Sequence, residues 1–142
     1  MKRSLGLGIC AVFVLLASCC APDDDAALGE TVRAVLFYSP TCPHCHQVMS
    51  EVLPPLQKKY GSQLQIMQVD VSTEDGNKLY KDSVTQFGIT QDRLGVPTLI
   101  VGDFVLVGGG EIPEYFPGLI EQGLSSGGID WPAIPGLVPP SS

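Results

Sequence analysis

The run Ala34-Val35-Leu36-Phe37-Tyr38 leads through Ser39-Pro40-Thr41 into Cys42-Pro43-His44-Cys45, and this succession constrains the fold more than any other stretch of the chain. Apolar, β-branched and aromatic residues from Ala34 to Tyr38 predict a buried strand. Ser39-Pro40-Thr41 breaks that pattern and supplies polar oxygens where a helix must begin. Val48, Met49, Val52, Leu53 and Leu56 then recur at helical spacing, so the predicted helix opens on Cys42. Unpaired backbone N–H groups and the positive end of the helix dipole favour an anion at that position. The Cys42 thiolate is therefore expected to be favoured over the thiol, which makes a cysteine reactive near neutral pH.

Three other uses of the pair fit less well. Cys42-Pro43-His44-Cys45-His46 satisfies the spacing for covalent haem attachment, but the motif follows a strand, whereas haem needs a distal ligand and a wrapping helical context. Zinc needs four ligands, and Cys42, His44, Cys45 and His46 on one helical turn cannot surround an ion tetrahedrally. A purely structural disulfide would close a very small loop and contribute little. No metal and no cofactor is expected.

The block Phe37-Tyr38-Ser39-Pro40-Thr41-Cys42-Pro43-His44-Cys45 resembles the active-site segment of thioredoxin-fold disulfide oxidoreductases, and its Cys-Pro-His-Cys tetrapeptide is similar to that of DsbA-type thiol oxidases. The resemblance covers about residues 33–122. It implies an α/β protein with a compact thioredoxin-like fold, βαβαββα, whose central mixed sheet is flanked by helices. Cys42 then acts as nucleophile and Cys45 as resolving thiol, with Pro43 and His44 tuning the pair. Within the first turn, the His44 imidazole is placed to donate to the thiolate or, when protonated, to add a positive charge beside it. Pro97 matches the family's cis-proline, facing the cysteines, and Val96 the residue whose backbone pairs with an incoming peptide. Two departures stand out. Thioredoxins usually carry a buried acid six residues before the first cysteine, and here that residue is Leu36. DsbA-type oxidases carry a large helical insertion before the cis-proline, where this chain has only Ile89 to Gly95.

Of the 142 residues, 1–18 read as a lipoprotein-type signal peptide: Lys2 and Arg3, then an uncharged apolar run from Leu5 to Ala17. Leu16-Ala17-Ser18-Cys19 resembles a bacterial lipobox, which implies lipidation of Cys19. Removal of Lys2 and Arg3 would make the formal charge of −7 two units more negative. So acidic a surface excludes nucleic acid as a partner, and membrane attachment would be by the lipid anchor rather than by charge. Residues 19–31, with Asp23, Asp24 and Asp25, read as an acidic flexible tether. Export implies an oxidising, extracytoplasmic setting at a bacterial cell membrane.

Residues 32–124 form the predicted domain. After Pro54-Pro55, expected to kink or restart the first helix, Gly61 ends it. Leu64 to Val71 predict a strand. Ser72 and Asp75 fit a capping box for a helix with Tyr80, Val84 and Phe87 on one face, stopped at Gly88. Gly102-Asp103 predicts a hairpin between two apolar runs. The last helix is expected to start near Ile112-Pro113. Residues 125–142 read as a Gly/Ser/Pro-rich tail, with Trp131 either pinning it or free.

The function that follows is extracytoplasmic thiol-disulfide exchange with protein thiols or disulfides through Cys42 and Cys45, on the oxidising side, with a membrane or soluble redox partner recycling the pair. Two alternatives remain: a thioredoxin-like reductase, or a copper-handling protein using Cys42, Cys45 and His46.

Overall fold

A computed structural model describes residues 30–140. The signal segment, the lipobox with Cys19 and nearly all of the tether lie outside the described residues. The elements are β1 (Val32–Tyr38), α1 (Pro43–Gln47), α2 (Leu53–Tyr60), β2 (Leu64–Asp70), α3 (Glu74–Gln86), β3 (Thr98–Val101), β4 (Phe104–Val107) and α4 (Gly108–Ser125). One sheet holds the strands in the order β2-β1-β3-β4, with β1 parallel to β2 and antiparallel to β3, and β3 antiparallel to β4. This is an α/β thioredoxin-like architecture with the mixed sheet and element order that the motif implied.

The apolar run of β1 is continuous because the strand is central and covered on both faces. Val32, Ala34 and Leu36 point to one side, where Val48, Leu53, Ile112, Phe116 and Ile120 from the α1–α2 segment and α4 meet them. Val35 and Phe37 point to the other, against Leu79, Tyr80 and Phe87 of the α3 region. With both faces filled, β1 ends at a fixed point, and the turn after it delivers Cys42 to the C-terminal end of this central strand.

Two local expectations are corrected, the N-cap of α3 and the start of α4, while Pro54-Pro55 restart the helix as expected, in the first turn of α2. Val48–Val52 forms a wide π-type turn in which Leu53 N–H reaches back to the Val48 carbonyl, so α1 runs into α2 without a gap. Such turns absorb an irregularity in the hydrogen-bond ladder, here next to two residues lacking N–H donors. The N-cap of α3 is Thr73, one residue later than the predicted Ser72, which is instead held by the Asp70 carboxylate through N–H and hydroxyl (2.8 and 2.7 Å). Helix α4 starts at Gly108, four residues earlier than expected, through three glycines that carry no helical signal. Glu111 makes this possible: its carboxylate accepts Val107 N–H at 2.8 Å and places negative charge in the first turn.

The tail is irregular and packed. Ile129 exchanges backbone hydrogen bonds with Thr31 and Arg33 (both 2.9 Å) and bridges to Val32 in parallel. Ile134 is buried, and Trp131 and Leu137 pack with it on the Phe37 face. Trp131 therefore pins the tail to the domain.

Candidate active site

Cys42 is the N-cap of α1, with extended backbone angles (φ −89°, ψ 116°) and Pro43 as the first helical residue. Its Sγ accepts the Cys45 N–H at 3.4 Å, so the sulfur takes the place that a serine or aspartate oxygen usually fills. The same sulfur lies 3.5 Å from the Val96 carbonyl oxygen. The turn before it is tied internally: Cys42 N–H donates to the Ser39 carbonyl (3.1 Å), and the Ser39 and Thr41 hydroxyls meet at 3.2 Å.

The two sulfurs differ sharply in environment. Cys42 is half-buried, while Cys45 is 1% exposed beneath the first turn, and both stand as free thiols. Burial pushes the Cys45 thiol up to about 11, aided by its hydrogen bond with Cys42 and opposed by the Ser39 backbone, which favours the charged form. Alkylation of the reduced protein at pH 7–8, mapped by peptide mass spectrometry, is expected to label Cys42 first. Preferential labelling of Cys45 would reverse the assignment.

The Val96–Pro97 bond is cis and brings Val96 to Cys42, so the two stretches singled out in the sequence converge. Pro97 is buried, and its carbonyl accepts Gly108 N–H at 2.8 Å, which ties the loop to the start of α4. Arg93 donates to the Val105 carbonyl (3.1 Å) and pairs with Glu111 (2.7 Å), a second tie between loop, β4 and α4.

His44 stands in the first turn of α1, and among the described residues neither histidine ring bonds to a cysteine. His44 is exposed and lies against α4, with its Nδ1 3.6 Å from where a Cβ on Gly109 would stand. Among the described residues no hydrogen bond joins it to either sulfur, so donation to the Cys42 thiolate is not seen. His46 turns its Nε2 to the Pro40 carbonyl at 2.6 Å and holds the turn rather than facing the cysteines. Among the described residues no three His, Cys, Asp or Glu side chains gather as a metal site, and the copper set of Cys42, Cys45 and His46 does not form. No helix among them is long and apolar enough to cross a membrane.

The sequence reading missed Ser39 and Tyr80. Ser39 acts on Cys45 through its backbone, which leaves no compositional trace. Tyr80 reads as one of three residues on a single helix face, and its hydroxyl contact with Gly95 lies fifteen residues away.

No protein-family model and no curated protein matches the chain. Among solved structures, the chain is similar to thioredoxin O2 of Arabidopsis thaliana in its oxidised state, at 19% identity, covering 70% of this chain and 85% of that one, with a TM-score of 0.46. A buckwheat glutaredoxin in complex with glutathione is 16% identical, covering 71% and 84%, with a TM-score of 0.44. A thioredoxin from Nicotiana alata is 18% identical, covering 72% and 78%, with a TM-score of 0.43.

Proposed function

We propose that this protein is a thiol-disulfide oxidoreductase that exchanges disulfides with protein thiols through Cys42 and Cys45, on the oxidising side. The observation that carries this reading is the asymmetry of the pair: a half-exposed sulfur at a helix start, above a buried one. Starting from a Cys42–Cys45 disulfide, a client thiolate attacks Cys42 Sγ and Cys45 leaves, taking a proton. A second client thiolate then attacks the client sulfur of the mixed disulfide, and Cys42 leaves. The client loses two electrons and the pair gains them, with Cys45 ending as the thiol and Cys42 released as the thiolate; the protons pass through water. A disulfide donor from another redox protein restores the starting state.

Two features support the oxidising direction. Cys42 Sγ sits at a helix start and accepts the Cys45 N–H, and a contact that favours the reduced pair makes its disulfide a stronger oxidant. Leu36 is fully buried among apolar side chains, so the position six residues before Cys42 carries no acid. The apolar leader and Cys19 support lipid attachment outside the cytoplasm, which radiolabelled palmitate incorporation, abolished by Cys19→Ser, would test.

The deciding experiment traps the intermediate. Cys45→Ala is expected to accumulate reducible mixed disulfides with client proteins, absent when Cys42 is also replaced; no adduct would sink the reading. Direction is read by equilibration with glutathione. A potential well above about −270 mV places the pair on the oxidising side, and one at that value makes it a reductase.

A further inference from the structure

The loop that brings Val96 to Cys42 is gripped from across the molecule by one hydroxyl. Tyr80 Oη, from α3, donates to the Gly95 carbonyl at 3.0 Å and accepts the Gly95 N–H at 2.9 Å. A single side chain thus satisfies both polar groups of one backbone unit, and the Thr98 hydroxyl adds a second donor to the same carbonyl at 2.5 Å. Gly95 has a φ of +156°, and no other atom lies within 4 Å of where its Cβ would be, so no packing of its own holds it. The Tyr80 ring is itself fixed, packing edge-on against Phe37 with centroids 5.4 Å apart at 63°. Phe37 belongs to β1, the strand that delivers Cys42. A closed path therefore runs from β1 through Phe37, Tyr80, Gly95 and Val96 back to the Cys42 sulfur.

We propose that the Tyr80 hydroxyl is a positioning residue of the exchange site, which fixes the Val96 backbone beside Cys42 and thereby sets how well a peptide-borne thiol, as opposed to a small thiol, is presented to the sulfur. This rests on the exchange reaction proposed above. A small dithiol needs only access to Sγ, and Cys42 offers that whether or not the loop is held. A cysteine within a polypeptide brings its neighbours with it, and the Val96 carbonyl, 3.5 Å from Sγ, is the backbone group they must pass. If the loop wanders, the client pays in alignment before any sulfur chemistry begins, and the loss falls on binding rather than on the reacting atoms. The hydroxyl touches neither cysteine, so the intrinsic chemistry of the pair is left alone.

Tyr80→Phe in the full chain keeps the ring and its contact with Phe37 and removes only the oxygen. Exchange is measured with a reduced, unfolded polypeptide and, separately, with dithiothreitol, alongside the redox potential and the melting temperature. The expected result is a KM for the polypeptide raised about tenfold with kcat changed by less than about twofold. The dithiothreitol rate and the potential should stay at wild-type values. An unchanged KM for the polypeptide overturns the proposal, as does an equal loss with both substrates, which would mean the hydroxyl acts on the cysteines or on the fold. Wild-type protein that exchanges with neither substrate overturns the oxidoreductase reading itself, whereas active wild type with an indifferent Tyr80→Phe overturns this inference alone.

Discussion

Cys42→Ser is expected to bring disulfide exchange with protein thiols down to background, a loss on the order of 10³-fold or more, without loss of fold. The chemistry fails because an alcohol neither ionises near neutral pH nor forms a disulfide. The fold survives because serine is among the residues a helix N-cap prefers, and its oxygen can accept the Cys45 N–H that the sulfur accepts now. Cys45 cannot replace the lost nucleophile. It is 1% exposed, and burial pushes its thiol up to about 11, so it stays protonated near neutral pH. An exchange assay with a labelled client, run beside thermal melts of wild type, Cys42→Ser and Cys45→Ser, separates these effects. Activity retained in Cys42→Ser and lost in Cys45→Ser would mean that the exposed and buried cysteines have the opposite roles.

The strand, turn and cysteine pair were legible because each rests on local chemistry: a continuous apolar run for a strand covered on both faces, and a residue order that only a helix start accommodates. The hairpin at Gly102-Asp103 was legible for the same reason, since Gly102 takes a φ of +55° between two short apolar runs. What escaped depends on partners distant in sequence. Three glycines open α4 because Glu111 caps them and the Pro97 carbonyl receives Gly108 N–H, and neither fact is local to the glycines. His44 could be placed on the first turn from spacing alone, but the direction of its ring depends on α4 lying alongside. Trp131 looked undecidable because the surface it covers is assembled from β1 and α3, and no periodicity in the tail announces it. His46 follows the same logic: spacing made it a candidate ligand, and the fold of the preceding turn gave it Pro40 instead.

Gly76→Ala should destabilise the protein by about 3 kcal/mol, lowering its melting temperature by roughly 10 °C, although the same change inside a helix normally helps. Helix propensity alone favours alanine over glycine by about 1 kcal/mol, so a reading from sequence gives the opposite sign. Gly76 is the third residue of α3, and the backbone of Asp70 at the end of β2 lies against it. A Cβ there would collide with the Asp70 backbone carbonyl oxygen, with the Asp70 carbonyl carbon at 2.8 Å and Thr73 Oγ1 at 2.9 Å. None of these can yield cheaply. The Asp70 carbonyl accepts from the Thr73 hydroxyl (2.8 Å) and from the Thr73 N–H (3.3 Å), and that hydroxyl in turn accepts the Gly76 N–H (3.1 Å). Moving any one of them dismantles the N-cap that starts the helix, whose loss by itself costs about 1 kcal/mol. This also explains why Thr73 rather than Ser72 is the cap: the close approach of Gly76 to Asp70 puts the Thr73 hydroxyl between them. Gly118 in α4 is the control, since no other atom lies within 4 Å of its would-be Cβ. Gly118→Ala should stabilise by about 0.5–1 kcal/mol. Urea denaturation of both variants against wild type checks the pair, and a Gly76→Ala protein as stable as Gly118→Ala would show that β2 does not press on α3 as described.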